Sequence, residues 1–314
     1  MQVRHAREQY VRWLRITRDL SPHTLRAYET DIAAFERHVG GRAPVGRIDR
    51  DCLLAFLEAQ RAAGLAPRSI RRRASGLRGF CRWLIAAELL QLDPWVGTTV
   101  AAGRARELPR VVAEHDLERL LGRLEERAAL RGRLSPDEPL PCPHEATTLL
   151  AVSLMVATGV RINELVGVRL QDLDLPGRSL RILGKGRRER QVFLPNAWIV
   201  GLLRAYLRTR AALGIEHPQV LFNRERMPLT PPAMRARLVK AATDAGLDAR
   251  ITPHMLRHTA ATQLIEAGVD IRYIQRLLGH ASLSTTEIYT HVSDQALRQV
   301  VSDADVVGRL LMRG

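Results

Sequence analysis

Cysteine, aromatic residues and long apolar runs are all scarce in this chain. Its 314 residues include only three cysteines, Cys52, Cys81 and Cys142, which lie far apart and form no CxxC pair. An odd number of widely spaced cysteines makes no disulfide framework and indicates a reducing compartment. No apolar stretch reaches the ~20 residues that cross a bilayer, and the N-terminal segment has no signal-peptide core. These absences argue against a disulfide-rich secreted domain and against a membrane protein.

Acidic residues are too few to balance the basic ones. The chain has 48 lysines and arginines against 33 aspartates and glutamates, a formal net charge of +15 and a pI near 11.0. Such an excess favours a polyanionic partner, which is nucleic acid or an anionic membrane surface. Most of the charge is arginine, whose planar fork fits phosphate. A generally basic solvated surface is the alternative, but we expect a nucleic-acid-binding protein in the cytoplasm or on the nucleoid.

The helix and strand signals divide the chain into two domains. Residues 1–100 show helical signals only, residues 101–112 are basic and aperiodic and predict a linker, and residues 113–314 form a second domain. Within the second domain, residues 170–195 alternate apolar and polar side chains around Pro-Gly and Gly-Lys-Gly turns, which predicts a small antiparallel sheet. The expected fold is therefore mainly α with a small antiparallel β-sheet.

A helix predicted to begin near Pro67 carries an unusual density of arginine. Between positions 68 and 78 there are five arginines and no acidic residue. We predict that this face follows a DNA phosphate backbone, although a charge run is more often an ordinary solvated face. The predicted phosphate-contacting residues are Arg68, Arg71, Arg72, Arg73 and Arg78.

Four segments of the second domain carry residues suited to phosphate chemistry. Arg161 follows a helix end, with Glu164 three residues later, and Lys185 stands in the Gly-Lys-Gly turn. His254 and Arg257 are three residues apart on one face of a predicted helix. Taken singly, each has an ordinary interpretation: an Arg161–Glu164 ion pair, a solvated turn lysine, or a surface histidine.

The fourth segment contains His280, which follows a glycine expected to end a helix, and Tyr289 nine residues later. A lone tyrosine is more often half-buried packing than a reactive group. Several histidines in this region, His254, His258, His280 and His291, also raise the possibility of a metal site. No HExxH arrangement and no suitably spaced carboxylate accompanies them, so we predict neither a metal nor a cofactor.

Together and in this order, the four segments closely resemble the tyrosine recombinase family, also called phage integrases. The family pattern is an arginine in TGxRxxE, a lysine in a β-hairpin, HxxR on a helix, His or Trp after LG, and a C-terminal tyrosine. The matching residues here are Arg161, Lys185, His254, Arg257, His280 and Tyr289. The N-terminal segment 21–35 also resembles the helical SAM-like domain of the Xer-type branch. Two departures are Asn163, where serine is common, and a loop at 131–144 that is longer than in plain Xer proteins.

The resemblance implies a reaction in which Tyr289 attacks a DNA phosphodiester and forms a 3′-phosphotyrosyl link. An unperturbed tyrosine has a pKa near ~10, so its hydroxyl must lose its proton to a base or ionise in a cationic pocket. By resemblance, His254 accepts that proton, and Lys185 enters the minor groove and protonates the leaving 5′ oxygen.

Charge on the phosphate is stabilised by the remaining residues of the pattern. Arg161 and Arg257 can each clamp nonbridging oxygens with two parallel hydrogen bonds. His280 can donate a further hydrogen bond to the phosphate. Glu164 is expected to support the site rather than react.

The expected partners are double-stranded DNA with specific recombination sites and other protomers in a homo- or hetero-tetramer. The amphipathic segment after Tyr289 either packs on its own domain or, by resemblance, docks on a neighbouring protomer. Integration, excision and dimer resolution all remain open as the biological task. Two alternatives are a type IB topoisomerase, which uses a similar residue set, and a DNA-binding factor that has lost catalysis.

Overall fold

The chain divides into two compact units, Met1–Glu107 and Leu108–Gly314. The computed structural model describes residues 1–18, 20, 22–98, 111–132, 134–184, 188–279 and 294–311. Its elements are helices apart from one three-stranded antiparallel sheet in the second unit. The predicted fold class, mainly α with a small antiparallel sheet, is confirmed.

The first unit is a bundle of helices around an aromatic core. Its elements are α1 Val3–Thr17, α2 Pro22–Val39, a one-turn 3₁₀ helix Val45–Arg47, α3 Arg50–Ala62 and α4 Pro67–Ala86. Asp49 caps α3, since its Oδ1 accepts a hydrogen bond of 2.8 Å from the backbone N–H of Cys52. In the core, the rings of Phe35 and Phe56 meet edge to face with centroids 5.3 Å apart.

The second unit begins with helices, continues into the sheet and returns to helices. The first elements are α5 Glu114–Arg127, α6 Pro143–Thr158, α7 Ile162–Leu165, a 3₁₀ turn Leu170–Asp172, β1 Leu173–Asp174, β2 Ser179–Leu183 and β3 Glu189–Phe193. The helices after the sheet are α8 Ala197–Ala212, α9 Pro231–Asp244, α10 Pro253–Glu266, α11 Ile271–Leu278, α12 Asp294–Ala304 and α13 Val306–Leu311.

Helix α6 forms the centre of the second unit. All of its residues from 146 to 158 are buried, so the helix is enclosed by the core on every side rather than amphipathic. Gly159 ends the helix in the left-handed conformation, with φ of 63°, which glycine adopts without strain. Because α6 is fixed by the core on all sides, the turn that follows Gly159 has a well-defined position.

The sheet presents one face to this core. Strands β2 and β3 pair antiparallel, with Leu180 opposite Val192 and Ile182 opposite Arg190. Leu180, Ile182 and Val192 are buried hydrophobic residues. Since side chains on alternate positions of a strand share a face, Arg190 lies on the apolar face of the sheet.

The predicted long loop is anchored to α8. The backbone N–H of the buried Leu140 donates a 2.7 Å hydrogen bond to Thr209 Oγ1. A Cβ placed on Gly201 would lie 3.2 Å from the ring of Pro136, so glycine allows the loop to approach the helix closely. These two contacts show that the loop packs against the folded unit at Pro136 and Leu140.

The C-terminal segment packs within its own unit. Leu297, Val301, Val307 and Leu310 are all buried in the same hydrophobic cluster as α6. Asp305, between α12 and α13, accepts a 2.6 Å hydrogen bond from Asn196 Nδ2. Docking of this segment on a neighbouring protomer stays a prediction.

Two further observations apply to the described ranges only. None of the helices there is both long and apolar enough to cross a bilayer. In the same ranges, no three His, Cys, Asp or Glu side chains gather as metal ligands would. The three cysteines are free thiols.

Candidate active site

Arg161 lies in the turn between α6 and α7 and pairs with Glu164. Its backbone N–H donates to Glu164 Oε2 at 3.0 Å, and its Nη1 donates to Glu164 Oε1 at 2.8 Å. The side chain of Glu164 is only 7% exposed, whereas that of Arg161 is 45% exposed. The Arg161–Glu164 ion pair therefore forms, but nearly half of the Arg161 side chain stays exposed to a ligand.

Arg257 lies on α10 and points its guanidinium at two backbone carbonyls. Its Nη1 donates to the carbonyl of Gly159 at 2.5 Å and its Nη2 donates to that of Leu278 at 2.6 Å. The helix begins with Thr252 as cap, whose Oγ1 accepts from the backbone N–H of Met255 at 3.2 Å. A guanidinium has five N–H donors, so these two bonds leave three for a phosphate.

Arg161 and Arg257 belong to one electrostatic site. The carbonyl that Arg257 binds is that of Gly159, two residues before Arg161. Burial is the main cause that lowers the pKa of Arg257 to about 10, and the positive charge of Arg161 acts in the same direction. Two cations that repel each other across a small space favour an anion placed between them.

Glu164 is bound by a second arginine, Arg190, which was not among the predicted site residues. Arg190 donates from Nη2 to Glu164 Oε2 at 2.7 Å and from Nη1 to Oε1 at 3.2 Å. Burial alone would raise the pKa of Glu164. The hydrogen bonds from Arg190 and Arg161 outweigh burial and hold that pKa below its usual value.

Replacing Glu164 by glutamine is expected to destabilise the protein at neutral pH, because Arg190 and Arg161 lose their shared carboxylate. Breaking a buried ion pair costs roughly 3–5 kcal/mol. Since the folded-state pKa is lowered, this stabilisation is fully present above the ordinary glutamate pKa and is lost as the pH falls through the folded-state value. Urea unfolding of both proteins from pH 7 to pH 3 should show a difference in free energy that shrinks in acid.

A matched control is Glu189→Gln. Glu189 precedes Arg190 on β3, and its carboxylate lies 3.9 Å from Arg181 and is mostly exposed. Exposed pairs of this kind contribute about 0–1 kcal/mol. Equal stability profiles for the Glu164 and Glu189 variants would contradict the prediction.

His254 is the second residue of α10 and is exposed. It has no hydrogen-bond partner within the described part of the chain, and its position three residues before Arg257 places both on neighbouring sides of the helix. Lys185, His280 and Tyr289 lie outside the described residues. The structure therefore brings together Arg161, Glu164 and Arg257, with His254 on the same helix as Arg257.

The predicted phosphate-contacting face of α4 is divided between two kinds of arginine. Arg72 binds the two carboxylate oxygens of Asp31 at 2.5 and 2.8 Å, and Arg73 approaches the same carboxylate at 3.5 Å. Asp31 is 1% exposed, so these arginines neutralise a buried acid. Arg78 donates to the backbone carbonyl of Thr98 at 2.9 Å.

The other two predicted residues have a different environment. Arg68 is exposed and Arg71 is half-buried, and neither forms an ion pair within the described ranges. Among the described residues, neither side chain has a hydrogen-bonding partner that would occupy its donors, so both can bind an external anion. Contact of any of the five arginines with DNA stays a prediction, and part of the positive face has a structural role that the sequence did not indicate.

Both units match known protein families. Residues 110–296 match the phage integrase family, and residues 8–88 match the phage integrase N-terminal SAM-like domain. A relative from Xylella fastidiosa strain M23, named tyrosine recombinase XerC, is 33% identical over 300 residues, which cover 95% of this chain and 95% of the relative.

Solved structures share the fold. A lambda integrase tetramer bound to a Holliday junction is 21% identical, with a TM-score of 0.66 over 97% of this chain and 78% of that one. XerH recombinase bound to difH substrate in a pre-cleavage complex is 24% identical, with a TM-score of 0.63 over 89% of this chain and 78% of that one. At these identities the likeness concerns the fold.

The family match and the 33% identical relative show that this chain belongs to the phage integrase family, the tyrosine recombinases. It is therefore an enzyme of site-specific DNA recombination, and the family resemblance inferred from the sequence is confirmed.

Proposed function

We propose that this protein cuts and rejoins DNA strands at specific sites through a 3′-phosphotyrosyl intermediate formed by Tyr289. The observation that carries the proposal is the pair Arg161 and Arg257, which converge at the end of α6 with free donors on both guanidinium groups. An anionic phosphate is the ligand that such a pair favours.

Phosphate binding is the task of Arg161, Arg257 and His280. As the Tyr289 oxygen attacks phosphorus, negative charge grows on the nonbridging oxygens. Fixed cationic donors stabilise that charge without reorganising, which is the main source of catalysis by such sites. Arg257 is well suited because its bonds to two backbone carbonyls hold its orientation before DNA arrives.

Proton transfer is the task of His254 and Lys185. His254 accepts the phenolic proton of Tyr289, and Lys185 donates a proton to the 5′ oxygen as its bond to phosphorus breaks. The new ester keeps the energy of the broken bond, so a 5′ hydroxyl can attack it and restore the DNA strand. Glu164 holds Arg161 in place and takes no part in the transfers.

The partners follow from the same proposal. The substrate is double-stranded DNA carrying specific recombination sites, and the working assembly is a homo- or hetero-tetramer, as in the related fold on a Holliday junction. The similarity to proteins named XerC supports an Xer-like role in the cytoplasm at the nucleoid. Docking of α13 on a neighbouring protomer would link assembly to catalysis.

The test uses a library of nicked duplexes with randomised centres. Covalent complexes that survive denaturing detergent are isolated and their DNA is sequenced, which identifies the preferred site. A plasmid with two copies of that site should then recombine, whereas a plasmid without it should stay supercoiled.

The two alternatives give different results in this experiment. Relaxation of site-free plasmid at the same rate would indicate topoisomerase activity of the type IB kind. DNA binding without any covalent complex would indicate a non-catalytic DNA-binding factor. Either outcome would overturn the proposal.

A further inference from the structure

Arg190 occupies an unusual position for a charged residue. It stands on the apolar face of the sheet, opposite Ile182, and its side chain is only 11% exposed. A buried charge is unfavourable unless its hydrogen bonds are satisfied and it is paired. We propose that Arg190 is a positioning residue that fixes the segments carrying Arg161, Lys185 and His280 relative to one another. This inference rests on the proposed function.

The first of the three segments is reached through Glu164. Arg190 holds both carboxylate oxygens of Glu164, at 2.7 and 3.2 Å, in the two-pronged arrangement that fixes orientation as well as distance. The same carboxylate accepts from the backbone and side chain of Arg161. Arg190 therefore determines where the Arg161 turn lies through one shared carboxylate.

The second segment is the end of α11. The Nε of Arg190 donates to the carbonyl of Leu277 at 2.8 Å. A Cβ placed on Gly279 would lie 3.2 Å from Cδ and Nη1 of Arg190, and Gly279 has φ of +63°. A side chain there would be strained and would press on the guanidinium. His280 follows Gly279 directly in the sequence, so the last described residue before it lies against Arg190.

The third segment is the hairpin between β2 and β3. Its base is closed by a 2.8 Å hydrogen bond from the backbone N–H of Gly184 to the carbonyl of Arg188. A Cβ placed on Gly184 would lie 3.7 Å from both Arg190 Nη1 and Glu164 Oε1. The residue just before Lys185 therefore packs against the same ion pair, and Arg190 itself lies on the strand that leaves the hairpin.

One guanidinium makes these contacts because its donors point in different directions. Arg190 uses Nε toward Leu277 and the two terminal nitrogens toward Glu164. A lysine has a single nitrogen at the end of a flexible stem and cannot make all three bonds with the same geometry. Lysine at position 190 should therefore keep the charge balance with Glu164 but lose the coupling between segments.

The experiment compares Arg190→Lys with Arg181→Gln. Arg181 is on the adjacent strand β2 and is bound to Asp172 at 2.8 Å on the exposed side, so it controls for loss of an arginine from the sheet. The substrate is the nicked duplex that wild-type protein captures best from the random library. We expect the single-turnover cleavage rate of Arg190→Lys to fall by roughly 10–100-fold, the usual effect of losing an outer support of a site. DNA affinity should stay close to that of Arg181→Gln. The cleavage rate is expressed per folded molecule, because loss of the bond to the Leu277 carbonyl lowers the melting temperature of Arg190→Lys.

A second substrate separates positioning from a general loss of fold. When the leaving 5′ oxygen is replaced by sulfur, the leaving group is a thiolate, which needs no proton from Lys185 because thiols have pKa values near ~8.5. Arg190→Lys should lose less activity on this substrate than on the ordinary one. Lys185→Ala, measured alongside, shows how much of the cleavage rate the sulfur substrate restores when the proton donor is absent.

The results distinguish this inference from the proposed function. Absence of covalent complex with the wild-type protein would overturn the proposed function itself. A wild-type protein that cleaves, together with an Arg190→Lys variant that cleaves as fast as Arg181→Gln, would overturn only the role of Arg190. Equal losses on the oxygen and sulfur substrates would overturn the link between Arg190 and the Lys185 hairpin, because only a displaced proton donor is rescued by the sulfur leaving group.

Discussion

Replacing Tyr289 by phenylalanine is expected to abolish covalent capture of DNA while leaving DNA binding intact. Phenylalanine keeps the aromatic ring and removes only the phenolic oxygen that would attack phosphorus. Loss of a covalent nucleophile lowers the rate by roughly 10⁴-fold or more. The measurement is the yield of detergent-resistant protein–DNA complex from the nicked duplex, set beside the dissociation constant for the same DNA.

The matched control is Tyr273→Phe, because Tyr273 is a half-buried tyrosine of α11 packed against the hydrophobic core of the same unit. This variant should capture DNA at nearly the wild-type rate. A covalent complex that persists in Tyr289→Phe would show that another residue is the nucleophile, and the assignment of Tyr289 would be wrong.

Replacing Arg257 by lysine is expected to have the second largest effect. Lysine keeps a positive charge but cannot bind the carbonyls of Gly159 and Leu278 and still present a fork to phosphate. Loss of one preorganised donor to a developing charge lowers the rate of the chemical step about 10²–10³-fold. DNA affinity should change much less, because many phosphate contacts share it. Single-turnover cleavage and equilibrium binding measure the two effects separately.

Arg210 provides the control for the stability of such a variant. It is buried in the same unit and donates to the carbonyls of Gln219 at 2.7 Å, His217 at 2.5 Å and Ile215 at 3.1 Å, outside the candidate active site. Arg210→Lys and Arg257→Lys each leave a buried carbonyl unsatisfied, at a cost of about 1–3 kcal/mol. Only Arg257→Lys should lose cleavage per folded molecule, and a similar loss in Arg210→Lys would show that instability, not chemistry, explains the effect.

Local signals in the sequence predicted the elements of the fold well. Asp49 and Thr252 are residue types that favour helix caps, and each accepts the backbone hydrogen bond of a cap. Pro67 begins α4 as predicted, and Gly159, the residue type that most often follows a helix end, ends α6. These features depend on a few neighbouring residues, because capping and backbone conformation are local interactions.

The partners of charged side chains were predicted less completely. The arginines of α4 were predicted to form one face for DNA, because no acid lies near them in the chain. Asp31, which binds Arg72, is 41 positions away. A buried acid that far along the chain leaves no mark on the local charge pattern, so the structural role of Arg72 became visible only in the folded unit.

Arg190 was missed for a related reason, although the sequence did contain a signal. In the alternating pattern of β3, Arg190 shares a face with Val192, so a charge stands where an apolar residue is expected. That conflict between pattern and residue type is typical of functional sites. The conflict therefore points to Arg190 but does not indicate that Glu164 and Leu277 are its partners.

The sequence by itself determined the residue types proposed to carry the chemistry, their order along the chain and most of the helices and strands around them. Only the tertiary structure decided which of those segments meet. The contacts that join the site link Glu164 to Arg190, Arg190 to Leu277 and Gly159 to Arg257, across 26, 87 and 98 positions. Residues this far apart in the sequence come together because the core packs around α6. Each hydrogen bond depends on where that packing places the donor and the acceptor.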